Sequence, residues 1–173
     1  QAVMAHGSFI SYYLRTIEMG GQPVRVPLRH FTHDLSAMAE AVTDRTRLLF
    51  LCNPNNPTGT TNTAAEVRQL LAEVPDDVLI VADEAYIEFL EDPVDCLSLV
   101  RSGVQPNVLL VRTFSKIFGL AGLRLGYGIG APDVIAAIEK TREPFNINSI
   151  AQAGALAALE DVEHLAKTRI VNR

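Results

Sequence analysis

A chain of 173 residues is long enough for one sizeable hydrophobic core and too short for two ordinary domains. With 48% hydrophobic and 20% charged residues it can bury apolar surface, yet no apolar run approaches the roughly 20 residues of a membrane span. The net charge of −5, without a lysine or arginine cluster, argues against a nucleic-acid partner.

In chain order, Ala2 to His6 is a short apolar strand, and Ser8 is positioned to cap a helix to about Met19, ended by Gly20 and Gly21. Pro23 to Pro27 alternates like a strand whose prolines push it to a sheet edge. Asp34 caps a helix with Leu35, Met38, Ala39 and Val42 on one stripe. Arg47 to Cys52 is a buried strand, and Thr63 starts a helix through Glu73. Val78 to Ala82 is a strand, Cys96 to Arg101 a helix, and Asn107 to Arg112 another strand. Leu125 to Gly130 reads as a strand, and Asp133 to Arg142, Ile147 to Glu160 and a segment capped by Asp161 read as helices. This alternation predicts an α/β fold: a doubly wound, mostly parallel sheet with helices on both faces.

Three strands end in unusual polar sequence. After Cys52 comes Asn53-Pro-Asn-Asn-Pro-Thr-Gly59, after Ala82 comes Asp83-Glu-Ala-Tyr86, and after Arg112 comes Thr113-Phe-Ser-Lys116 with a Gly-rich run through Gly128. Each has an ordinary explanation: a tight turn with self-satisfied asparagines, a helix-capping aspartate with a core tyrosine, a solvated lysine. Together they fall at the carboxyl edge of one sheet, where open α/β sheets bind ligands. Two hydroxyls at Thr113 and Ser115 with the Arg124 guanidinium suit a phosphate, and Lys116 suits a carbonyl. Phosphate plus aldehyde suggests pyridoxal 5'-phosphate.

NPNNPTG, ADEAY, SK and GLAGLRLGYG occur here in the order in which they recur in fold-type I pyridoxal-phosphate aminotransferases. The chain most resembles the histidinol-phosphate aminotransferase group over essentially its whole length, including Pro144 to Ala153. The resemblance implies that Lys116 forms an aldimine with the cofactor and shuttles a proton, and that Asp83 faces the pyridine nitrogen. Tyr86 and Asn56 are implied on the phenolic oxygen, and Thr113, Ser115 and Arg124 on the phosphate. Phe9 matches the aromatic stacked on the ring, although Gly7 stands where a proline is common. On this resemblance residues 1–146 are the cofactor-binding large domain, incomplete at its N-terminal side, and residues 147–173 are helices leading towards a small domain.

The implied reaction is ping-pong transfer of an amino group between an amino acid or amino-alcohol phosphate and a 2-oxo acid such as 2-oxoglutarate, in a homodimer. A second reading is a truncated module that folds and dimerises without turnover. Cys52 and Cys96 form no disulfide framework, and no charged leader precedes an apolar core, so a cytoplasmic protein is expected. Cys52 reads as a buried strand residue. His30 and His33 have an HxxH spacing in a polar connection and read as a solvated loop rather than a metal site; none is expected. His6 and His164 are isolated. Asn146 and Asn148 are open to substrate or subunit contact, and Asn146 also to capping the helix at Ile147.

Overall fold

The computed structural model describes residues 1–172; Arg173, the last residue of the expected segment 147–173, lies outside the described residues. Among the described residues six strands form one sheet: β1 (Ala2–His6), β2 (Pro23–Pro27), β3 (Leu48–Cys52), β4 (Leu79–Asp83), β5 (Val108–Thr113) and β6 (Gly126–Ile129). Their order is β2-β1-β3-β4-β5-β6. The first five run parallel and β6 pairs antiparallel with β5. The proline-flanked β2 occupies an edge, as a strand short of backbone donors must.

Between these strands run α1 (Ile10–Glu18), α2 (Leu35–Glu40), α3 (Ala64–Glu73) and α4 (Cys96–Arg101); α5 (Pro132–Glu139), α6 (Ser149–Glu160) and α7 (Val162–Val171) follow. Strand parity divides the core. Val3, Leu49, Leu51, Ile80, Ala82 and Leu110 pack with Met38 of α2, Leu70 of α3 and Cys96 of α4. Ala2, Met4 and Cys52 pack on the other side with Tyr12 of α1. Phe114, Ile117 and Phe118, just past β5, pack with Ala151 and Ala155 of α6.

Local signals decide most helix starts. Asp34 accepts from the Ala37 N–H, and Thr63 forms a reciprocal capping box with Glu66. Three expectations change. Ser8 does not cap α1: Phe9 holds the cap position, and the buried Ser8 hydroxyl has no hydrogen-bond partner among the described residues. Asn148, not Asn146, caps α6 by accepting from the Ala151 N–H, so the helix begins at Ser149 rather than Ile147. Pro132 opens α5, which ends at Glu139, short of the expected Arg142.

Candidate active site

The direction of the parallel strands puts the ends of β1, β3, β4 and β5 on one edge, and the loops leaving them meet there. Phe9, Asn56, Asp83, Tyr86, Thr113, Ser115, Lys116 and Arg124 all line one open cavity of about 380 Å3. The eight residues that the resemblance implies for the cofactor are thus brought to a common surface, whereas Asn146 and Asn148, read from sequence as open to substrate contact, do not line it. Cys52 and Arg112 line it as well.

Asp83 ends β4 opposite Cys52 in the register. One carboxylate oxygen, Oδ1, accepts from the Ala85 N–H at 3.0 Å. The other, Oδ2, accepts from the Tyr12 hydroxyl at 2.5 Å. Three residues further on, Tyr86 lays its ring under Lys116, whose Nζ lies 4.9 Å from the ring centroid. Lys116 itself is exposed, and among the described residues no carboxylate lies in ion-pair range of it. Thr113 Oγ1 accepts from the Ser115 N–H at 3.1 Å, which folds the turn after β5 back on itself and presents the Ser115 hydroxyl. Arg124 takes a left-handed backbone (φ 55°) and donates to the Ala121 carbonyl, leaving other guanidinium N–H groups free to face an anion. Phe9 is 41% exposed and touches the Tyr12 ring edge-on.

The loops are held from behind. Glu84, next to Asp83, pairs with Arg112 at 2.7 Å, its side chain only 4% exposed. Burial pushes the Glu84 carboxyl up, and the guanidinium pulls it part of the way back. Asn55 joins three segments: it donates to the Gly7 carbonyl and the Thr58 hydroxyl, and its oxygen pairs with His33 Nε2 at 3.0 Å. His33 is therefore not the solvated loop residue expected from sequence; it is 3% exposed, and burial lowers its pKa. Its neighbour His30 forms no metal cluster with it, and none occurs among the described residues. Gly7 explains the departure from proline: its φ of +107° is outside the range a pyrrolidine ring allows. His164 is not isolated either, since Nε2 lies 2.9 Å from the Ile117 carbonyl beside Lys116.

Sequence reasoning missed Tyr12, Arg112, Glu84 and His33. Only Tyr12 carried a usable signal, as a polar-tipped aromatic on the inward stripe of a helix at the mouth of β1.

A largely parallel sheet with this polar edge matches the fold of fold-type I aminotransferases. This chain belongs to the family described as aminotransferase class I and II, whose profile matches residues 2–171. It is 49% identical over 174 residues to histidinol-phosphate aminotransferase of Moorella thermoacetica, covering 99% of this chain and 45% of that protein. It is 54% identical over 159 residues to an aromatic amino acid aminotransferase of Mycobacteroides abscessus, covering 91% and 45%. The crystal structure of histidinol-phosphate aminotransferase from Sinorhizobium meliloti in complex with pyridoxal-5'-phosphate superposes with a TM-score of 0.91 at 34% identity, over 98% of this chain and 46% of that one. The chain thus spans about half the length of the curated relatives it matches.

Proposed function

We propose that this chain is the central part of a pyridoxal-phosphate-dependent aminotransferase, acting between an amino acid or amino-alcohol phosphate of the histidinol-phosphate or aromatic type and a 2-oxo acid such as 2-oxoglutarate. The observation that carries the reading is the meeting of the eight residues, from separate segments, in one cavity.

The donor set suits the cofactor. It offers a carboxylate for a pyridinium nitrogen, hydroxyl and guanidinium groups for a phosphate, and an amine without an ion-pair partner for an aldehyde. When bound, pyridoxal phosphate supplies that aldehyde and a protonated ring able to accept electrons from a carbon losing its proton. Asp83 is the residue that would keep the ring nitrogen protonated; a carboxylate at 4 Å from a pyridinium is worth about 4 kcal/mol at an effective dielectric of 20. Lys116 would hold the aldehyde carbon and, once displaced, carry a proton to and from the substrate carbon. Tyr86 and Asn56 would donate to the phenolic oxygen. Ser115, Thr113 and Arg124 would hold the phosphate, with charge-assisted bonds from the guanidinium. Phe9 would cover one face of the ring.

We further propose a cytoplasmic homodimer. Ile10, Leu14 and Ile17 form an exposed apolar stripe along α1, beside Phe9 and so beside the cavity. No helix among the described residues is long and apolar enough to cross a membrane, and both cysteines are free and buried.

Borohydride reduction of the protein mixed with pyridoxal phosphate, followed by peptide mass mapping, tests the central assignment. The expected result is stoichiometric label confined to Lys116 and absent from Lys116→Ala. Label scattered over surface lysines, with none at Lys116, would overturn it.

A further inference from the structure

We infer that Tyr12 is a positioning residue for Asp83, fixing the rotation of its carboxylate from helix α1, which covers that side chain's face of the sheet. The inference rests on the reading that Asp83 faces the cofactor's ring nitrogen.

Asp83 shares the parity of Leu79 and Val81, whereas Ile80 and Ala82 turn to the main core. Its side chain therefore lies on the face covered by α1. There the Tyr12 hydroxyl donates to Oδ2, while the Ala85 N–H donates to Oδ1. One donor on each oxygen, from two different elements, leaves the carboxylate plane no freedom to turn. The phenol is itself held. It is 8% exposed, and its ring stacks on Phe50 at 4.6 Å and 9° while meeting Phe9 edge-on at 5.6 Å. Burial, reinforced by the Asp83 charge, raises the phenol's pKa, so the hydroxyl remains a donor across the pH range in which an enzyme works. One rigid ring thus contacts both the residue assigned to the ring nitrogen and the residue assigned to the ring face.

A buried phenol needs a partner in any case, so a purely structural role is the competing explanation. Tyr12→Phe separates the two, because it removes the hydroxyl and keeps both ring contacts. In the full-length protein the expected result is pyridoxal-phosphate affinity about tenfold weaker, the order seen when an orienting partner behind a ligating group is removed. The pH midpoint of the bound cofactor's absorption should shift as well. In a double-mutant cycle with Asp83→Asn the two losses should fail to add. Unchanged affinity and an unchanged absorption profile, with only thermal stability lowered, would overturn the inference while leaving the cavity's assignment standing. Failure of the unmodified protein to bind pyridoxal phosphate would overturn both. If Tyr12→Phe does not fold, site-specific 3-fluorotyrosine at position 12 keeps the ring and sharpens the donor; an absorption midpoint that does not move would then count against the role.

Discussion

Arg112→Met should turn a buried ion pair into a defect that depends more strongly on pH. Arg112 donates through Nε and Nη2 to one oxygen of Glu84, at 2.9 and 2.7 Å. The methionine keeps much of the apolar stem and removes the charge, leaving Glu84 with a side chain 4% exposed and no cation beside it. A carboxylate so placed has a cheaper alternative to staying ionised, which is to take up a proton. From the ordinary value of 4.5, protonation at pH 7 costs 2.5 units at 1.36 kcal/mol each, or about 3.4 kcal/mol. At pH 5.5 the cost falls to about 1.4 kcal/mol. These figures cap the penalty of keeping the group buried, and the one at pH 7 lies within the ~3–5 kcal/mol typical of breaking a buried pair.

The sign follows from proton counts. With its folded pKa raised, Glu84 binds a proton in the native state that the unfolded chain has released above pH 4.5, so stability falls as pH rises from there. Unmodified protein shares the direction, because burial outweighs Arg112 even in the intact pair, but over a narrower window and so with a smaller total loss. Urea unfolding between pH 5 and 8 should show the variant losing up to about 1.4 kcal/mol per pH unit more than the unmodified protein once the latter's Glu84 has ionised. Parallel pH profiles would refute the reasoning, since they would mean that Glu84 finds water or another partner.

Two further outcomes test the packing beneath the site. Ile80→Ala, at a fully buried position in the middle of the sheet, should cost about 2–5 kcal/mol, read as a lower urea midpoint at unchanged slope. Gly7→Ala places a methyl 2.9 Å from Leu28 Cδ1 on a backbone at φ +107°, and should cost about 1–3 kcal/mol in the same assay.

Much of this architecture was legible because its causes are local. Leu48–Cys52 and Leu79–Asp83 announce themselves as short apolar runs bounded by polar sequence, and Thr63 with Glu66 writes out its own helix start. The candidate site was legible for a related reason: its residues sit immediately after strands, so placing the strands placed them. What escaped depended on partners far along the chain. His33 reads as a loop histidine until the Asn53–Gly59 turn is folded against it and Asn55 reaches its ring. Glu84, just past β4, and Arg112, on the neighbouring β5, are 28 residues apart, and either alone reads as a surface charge. Ser8 failed as a cap because the chain enters α1 one residue later, and a one-residue offset is below what cap chemistry alone resolves.

Tyr12 shows how strand order carries information that periodicity does not. Passing from β1 to β2 the chain moves one way across the sheet; passing from β2 to β3 it crosses back over β1 and continues that way to β4 and β5. Right-handed crossovers then put α1 on one face and α2, α3 and α4 on the other. The reversal lies between β1 and β3, and the crevice outside their carboxyl ends is where the loops carrying Phe9 and Asn56 open. The same reversal makes α1 the helix lying against the face to which Cys52 and Asp83 turn, since the parity that sends Ile80 and Ala82 to the larger core sends Asp83 the other way. A carboxylate ending a central strand on that face needs a donor from α1, and on its inward side α1 offers a buried tyrosine and a threonine already bonded to the tyrosine's carbonyl. Strand order, crossover handedness and parity together therefore select Tyr12 as the residue that meets Asp83.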